Sequence, residues 1–314
     1  MISCYAFAKQ HLHKYILLRM NDTVTPLVSV VIPTYNHAHF LGRALQSVLN
    51  QTYLNWEAIV IDNHSTDNTD EVMASFSDQR ITYLKIKNNG VIAVSRNAGI
   101  RVAKGEWIAF LDSDDWWSLD KLKVCIDCIN NKVDLICHDL VIVSDKTRYF
   151  RRKVIKPLQL KNPVLIDLMV RWNQIATSSV VVRKQILVRL NGMNESPDMV
   201  GAEDYNTWLR IAQLTNGFRS VSKPLGFYQK HEKGISQKDM SEPIQHALAD
   251  YIHLLSPQQK NRLCGNIKYI KGRFEYLNGN ILIANQNLLF SIKYTRLPLK
   301  IKSAMMIVSG FVKR

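Results

Sequence analysis

The chain has 314 residues, 46% of them apolar, an ordinary balance for a folded protein of one large domain or a domain with an appendage. No run of ~18 apolar residues marks a transmembrane helix. Apolar stretches of the N-terminus such as Tyr15 to Leu18 are too short for a secretory signal, and the five cysteines show no disulfide framework, so a cytoplasmic protein with reduced thiols is expected.

The formal charge of +15 is unevenly spread: from Arg219 onward 16 Lys+Arg face 5 Asp+Glu, and no acid follows Glu275. Leu297, Ile301, Met305 and Val308 alternate with basic residues there, the pattern of an amphipathic helix on an anionic membrane surface or of a helix packed on a core. No nucleic-acid-binding module accompanies the basic residues, so nucleic acid is not an expected partner.

In chain order, Leu27 to Ile32 is a β-branched strand stopped by Pro33, and Phe40 to Leu49 carries apolar residues at helical spacing. Trp56 to Ile61 is a second strand ending at Asp62, and Asn68 with Glu71 has the form of a capping box opening a helix. Ile81 to Ile86 is a third strand, followed by a helix from Ile92 to Ala103 ended by Gly105. Trp107 to Leu111 is a fourth strand, and Leu119 to Asn130 the next helix. Near-continuous apolar strands separated by helices predict a Rossmann-like, mostly parallel sheet flanked by helices. The chain from about Lys233 onward reads as mainly helical. The expected division is an N-terminal extension over 1–26, an α/β domain over 27–232 and a basic, mainly helical region over 233–314. Residues 1–19 read either as a mis-assigned start ahead of Met20 or as a loose peripheral helix.

The most informative stretch is Ile108 to Asp115, an apolar strand that runs into Asp112, Asp114 and Asp115. Carboxylates so close raise one another's pKa unless a positive partner sits among them, and a hard divalent cation is a natural one. A helix-capping surface loop is the competing reading. Thr34 to Asn36 follows the first strand, and Asp62 to Asp67 the second, so three polar strand ends fall on one edge of a parallel sheet, where open α/β sheets bind ligands. Cys125 and Cys128, with Cys137 and His138 beyond, could suggest a zinc site, but the pair falls inside an expected helix and reads better as buried packing.

These segments resemble the family 2 glycosyltransferases of GT-A fold. The resemblance is carried by Val28 to Asn36 (VSVVIPTYN), Ile61 to Thr69 (IDNHSTDNT), Asn89 and Gly90, Ser95 to Gly99 (SRNAG), Lys104 to Asp115 (KGEWIAFLDSDD), Asn191 to Glu195 (NGMNE) and Gly201 to Arg210 (GAEDYNTWLR). It covers about two-thirds of the chain, departing at Asn63 and His64 and at Met193. It implies an inverting transfer of a sugar from a nucleotide-sugar, a UDP-sugar above all, to a saccharide or lipid-linked saccharide in bacterial surface polysaccharide synthesis (lipopolysaccharide, O-antigen or capsule). The enzyme would sit in the cytoplasm, peripheral at the inner face of the membrane.

On the same resemblance, Asp62 would contact the base or ribose, and Pro33, Tyr35, Asn36, Asn89, Arg96, Asp112 and Ser113 would complete the nucleotide-sugar site. Asp112 and Asp114 form the Asp-X-Asp motif for Mn²⁺ or Mg²⁺. Asp115 is an alternative ligand to Asp114, and His231 a further one. Arg96 could equally face the phosphates or pair with a nearby carboxylate. Asp204 would be the general base, with Glu203 orienting it or the acceptor. Ser178 and Ser179 could line the acceptor side, and Trp116 and Trp117 could stack on a sugar or pack. Two other classes stay open: a catalytically silent GT-A domain that binds a nucleotide-sugar or polysaccharide, and a nucleotidyltransferase, although Pro33 to His39 lacks the glycines of such a phosphate loop.

Overall fold

The computed structural model describes residues 25–144, 153–157, 159–171, 173–231, 234 and 238–312. The N-terminal segment 1–19 therefore lies outside the described residues. The strands are β1 Val28–Thr34, β2 Trp56–Asp62, β3 Ile81–Lys85, β4 Trp107–Phe110, β5 Trp116–Trp117, β6 Leu135–Val143, β7 Val154–Ile155, β8 Val181–Arg183 and β9 Phe218–Gln229. The α-helices are α1 Ala38–Leu49, α2 Thr69–Ala74, α3 Ile92–Val102, α4 Lys121–Ile126, α5 Val164–Arg171, α6 Lys184–Arg189, α7 Glu203–Leu214, α8 Ser241–Leu248, α9 Pro257–Leu277, α10 Ile281–Tyr294 and α11 Leu297–Val312.

One curled sheet runs in the order β3-β2-β1-β4-β8-β6-β9-β5, with β7 paired to β6. The expected parallel character holds for β3, β2, β1 and β4. Beyond β4 the sheet is mixed: β8 is antiparallel to both β4 and β6, and β9 runs parallel to β6. Strands of two or three residues, such as β5 and β8, are too short to show a period in sequence.

Alternation along β1 sends Val28, Val30 and Ile32 to the face covered by α1 and α4, where they join Leu41, Leu45 and Leu122. Val31 faces the other way, into a cluster with Ile100, Leu168 and Trp208 from α3, α5 and α7. Burial of both faces explains why these strands read as continuous apolar runs. The second cluster also takes in Leu248, Tyr251, Leu255 and Leu263, so the C-terminal helices begin in the same core. Asn266 Nδ2 anchors α9 there by donating to Val170 O at 3.0 Å. Gly272 lets α10 approach, since a Cβ would meet Leu288 Cγ at 2.8 Å.

Three boundaries differ from expectation for identifiable reasons. β1 continues through Pro33. Val31 O accepts from Leu111 N on the β4 side, and Pro33 faces that same side two residues later, where the β4 ladder has ended, so its missing N–H costs no bond. Asn68 makes no side-chain cap; Asp67 instead accepts from Thr69 N at 3.2 Å and from Ala38 N at 2.9 Å, tying the starts of α2 and α1 together. Gly105 lies beyond the end of α3 and is needed for close approach, because a Cβ would fall 2.6 Å from Leu27 O. Cys125 is buried inside α4, and burial pushes its thiol up to about 11.

Lys121 is an anomaly of this core. Its ammonium is fully buried without a hydrogen-bond partner and lies 3.6 Å over the Trp117 ring. It also sits in the first turn of α4, where the helix dipole disfavours a cation. Burial pulls its pKa down to about 8. Lys121→Met is expected to stabilise the protein at pH 7 by roughly 1–2 kcal/mol, the relieved desolvation exceeding the lost cation–π contact. An unfolded lysine titrates near ~10.4. Between the two values the unfolded chain holds a proton that the folded chain has released, so wild-type stability gains on the variant as pH rises. Denaturation midpoints of both proteins from pH 7 to pH 10 test this; a constant gap would refute it.

Candidate active site

The loops leaving β1, β2 and β4 are joined by short side-chain bonds. Asn36 has φ 51°, which Asn tolerates better than most residues. Its Oδ1 accepts from Thr66 N at 2.8 Å, and its own amide donates to Ser65 Oγ at 2.9 Å. Asp62 Oδ1 in turn accepts from Ser65 N at 3.0 Å, and its Oδ2 from Tyr83 OH at 2.9 Å. Asp62 is fully buried and does not line the cavity, and its two oxygens hold this loop.

The joined loops wall a cavity of about 550 Å³. Of the expected residues, Pro33, Tyr35, Arg96, Asp112, Ser113, Asp114, Asp115, Glu203, Asp204 and His231 all line it. Asn36 and Asn89 do not; Asn89 is an exposed turn residue with φ 51°, and its neighbour Asn88 takes the lining position. Asn63 and Thr177 line the cavity too and were missed. Asn63 Oδ1 accepts from Asn88 N at 2.8 Å, a contact with no local pattern. Thr177 stands beside the noticed Ser178 but bonds a helix 27 residues away.

Arg96 is 3% exposed and bridges two carboxylates: Nη1 donates to Glu203 Oε1 at 2.6 Å and Nη2 to Asp112 Oδ1 at 2.7 Å. Burial opposes its charge, but Asp112 and Glu203 outweigh this and hold the guanidinium protonated, above its ordinary value. Of the two sequence readings, the geometry is that of the ion pair.

The three aspartates after β4 have separate environments. Asp112 turns to Arg96, and its amide donates to Ser178 Oγ at 3.0 Å. Asp114 Oδ2 meets His231 Nε2 at 2.9 Å, and burial together with the Asp112 charge raises its pKa. Asp115 is buried, its Oδ1 accepting from Gln229 N at 2.9 Å. Burial lifts its pKa well above the usual carboxylate range. The four expected metal ligands are thus not gathered alike: Asp114 and His231 touch, Asp112 is near, and Asp115 is tied to β9 through one of its oxygens. His37 Nδ1 lies 3.0 Å from Ser113 Oγ beside this pair.

Glu203 and Asp204 open α7, and their roles separate. Glu203 is locked by Arg96 and by Gly201 N, which donates to its Oε2 at 2.6 Å. Asp204 Oδ2 accepts from Thr177 Oγ1 at 2.9 Å, and its Oδ1 from Tyr205 N. Burial, reinforced by Glu203, pushes the Asp204 carboxyl up to about 7. Such a group holds and releases a proton near neutral pH, the property a general base needs. Trp117 is buried with Nε1 donating to Ser178 O at 2.8 Å, and Trp116 stacks on Phe227 at 4.9 Å, so both pack. Ser179 turns its hydroxyl away, donating to Ala176 O at 2.7 Å.

Residues 29–180 match the model of Glycosyl transferase family 2. The chain is 32% identical over 222 residues to the UDP-Glc:alpha-D-GlcNAc-diphosphoundecaprenol beta-1,3-glucosyltransferase WfaP of Escherichia coli, covering 69% of this chain and 83% of that protein. Among solved structures it resembles S. aureus TarS 1-349 in complex with UDP-GlcNAc, with a TM-score of 0.60 at 18% identity over 90% of this chain and 89% of the other. It also resembles the mannosyltransferase PcManGT from Pyrobaculum calidifontis in complex with GDP-Man and Mn²⁺, with a TM-score of 0.56 at 20% identity over 99% of this chain and 89% of the other. At those identities the two structures speak for the fold. With the WfaP similarity spanning most of that enzyme, the chain belongs to glycosyl transferase family 2 and has a GT-A-type fold.

Proposed function

We propose that the protein transfers a sugar from a nucleotide-sugar, a UDP-sugar as the first donor class, to a saccharide carried on a lipid diphosphate, in bacterial surface polysaccharide synthesis. The name of the WfaP relative supports this donor and acceptor class. The observation that carries the chemistry is Asp204, a carboxyl with its pKa near 7 in the cavity that also holds Asp112 and Asp114.

The reaction is a single inverting displacement. The acceptor hydroxyl forms a bond to the anomeric carbon from the face opposite the nucleoside diphosphate, the bond from that carbon to the phosphate oxygen breaks, and the proton passes to Asp204. Thr177 holds Oδ2 of Asp204 and so sets the direction of the carboxylate. Glu203 does not take the proton, because its Oε1 is paired directly with the buried Arg96 guanidinium, whereas the Asp204 oxygens accept only from the neutral Thr177 hydroxyl and Tyr205 amide. The exposed Tyr35 ring, with Pro33 and Asn63, offers a wall for the nucleotide base. Asp62 acts from behind that wall through Ser65.

Asp114 and His231, with Asp112 close by, would hold Mn²⁺ or Mg²⁺. Oxygen and imidazole donors suit these ions, and a cation would relieve the burial and the Asp112 charge that together raise Asp114. Among the described residues no three Asp, Glu, His or Cys groups form a complete protein cage, so diphosphate and water oxygens would supply the remaining ligands. When bound, the ion neutralises charge on the departing diphosphate.

The same reading places the enzyme peripherally at the inner face of the membrane. Among the described residues no helix is long and apolar enough to cross a bilayer. However, Leu282, Leu289, Leu297, Ile301, Met305 and Val308 of α10 and α11 are exposed, interleaved with Lys293 and Lys300. Apolar residues that would enter the acyl boundary and cations that would meet anionic headgroups make an interfacial surface.

Two experiments test these statements. Release of nucleoside diphosphate from a panel of nucleotide-sugars, measured with Mn²⁺ and with chelator, is expected to single out one donor. Asp114→Ala should lose roughly 100-fold or more, and Asp204→Asn roughly 10²–10⁴-fold in acceptor-dependent turnover. Because a base works deprotonated, kcat/KM should rise with pH through about 7; a flat profile, or turnover insensitive to Asp204→Asn, would refute the assignment. Separately, Met305→Glu with Val308→Glu should weaken binding to phosphatidylglycerol vesicles roughly tenfold or more while leaving turnover of a soluble acceptor unchanged. Undiminished vesicle binding would remove the membrane surface from the proposal.

A further inference from the structure

A second and larger cavity, about 1870 Å³, lies between the C-terminal helices and the catalytic face. It opens onto the first, since Tyr35, Gly201, His231 and Met240 line both. Among the described residues its lining contains seven Lys or Arg side chains and no Asp or Glu. Arg262 and Arg273 of α9, Arg296 before α11 and Lys302 of α11 have no ion-pair partner among the described residues. Cations so gathered in a cleft with low-dielectric walls concentrate anions there. The same helices supply an apolar wall, with Phe274 and Leu299 in the lining.

Such a cleft suits an amphiphile with an anionic group between a long apolar chain and a polar head. We propose that it seats the diphosphate and the first part of the hydrocarbon chain of the lipid-linked acceptor, a subsite that rests on the acceptor class proposed above. Arg262, Arg273, Arg296 and Lys302 neutralise the diphosphate, Phe274 and Leu299 pack on the chain, and the saccharide extends past Gly201 and His231 toward Asp204. The tail leaves along α11, whose outer face carries the exposed apolar residues Ile301, Met305 and Val308, so the cleft and the membrane-facing surface are continuous on one helix. The acceptor's anionic group thereby binds basic residues remote from the acidic Asp112 and Asp114, which keeps two diphosphates of one reaction apart.

Farnesyl diphosphate is a short, soluble probe for this chemistry and requires no knowledge of the saccharide. Its binding would be measured by calorimetry on the full chain, without divalent metal and with UDP saturating the donor cavity. Wild type should bind it far more tightly than farnesol or inorganic pyrophosphate. The triple variant Arg273→Gln, Arg296→Gln, Lys302→Gln changes exposed side chains and should fold normally, with affinity for the probe reduced roughly 10- to 100-fold. UDP binding should be unchanged in that variant. Equal affinity of wild type and variant, or pyrophosphate binding as tightly as farnesyl diphosphate, would overturn the subsite. Equal sensitivity of phosphatidylglycerol binding to the same three changes would overturn it in favour of a headgroup surface. UDP, titrated separately in the presence of Mn²⁺, reports on the donor site: absence of its binding there would strike the proposed function itself.

Discussion

The site depends on one buried cation. Arg96 stands between Asp112, at the end of β4, and Glu203, at the start of α7, with both bonds at 2.7 Å or less. Placing a guanidinium out of water is costly, and two short charge-assisted bonds are what offset it. The reverse also holds: without Arg96, Glu203 and Asp112 would face each other across a buried gap, a situation that typically costs about 3–5 kcal/mol. The bridge therefore fixes the distance between the strand-end carboxylates and the helix that presents Asp204. It does so from α3, which is packed on β1 through Gly99 and Val31.

Around that fixed frame, carboxylates of one chemical type are given different properties by their surroundings. Glu203 is held directly by the buried Arg96 cation. Asp204, one residue later, has weaker compensation and titrates near neutrality. Asp114 faces the cavity beside His231 with excess negative charge, whereas Asp115 is absorbed into the backbone of β9. Separating the properties of adjacent acids by environment is how a site assembles both a base and a cation seat from aspartates.

Much of this could be read from the sequence because the relevant signals are local. Apolar runs ended by Asp62 and Asp112 located the parallel strands and the edge that walls the cavity, and Glu203-Asp204 lay in a recognisable segment at a helix start. What could not be read depends on partners distant in sequence. Nothing near Asp62 says that Tyr83 and Ser65 occupy its oxygens, and nothing near Thr177 says that it meets Asp204. The choice between Asn88 and Asn89 turns on a single left-handed residue. The mixed half of the sheet was hidden for another reason: β5, β7 and β8 are two or three residues long and owe their pairing to tertiary contacts. The cleft under the C-terminal helices likewise exists only once α9 and α11 are placed against the catalytic face.

The central claim is a single displacement with Asp204 as the base. The most direct measurement is the anomeric configuration of the product by NMR, using an α-linked nucleotide-sugar that the enzyme turns over. A β-linked product is expected, since one displacement inverts the anomeric centre. An α-linked product would contradict the claim, because net retention cannot arise from one in-line attack assisted by a base at Asp204.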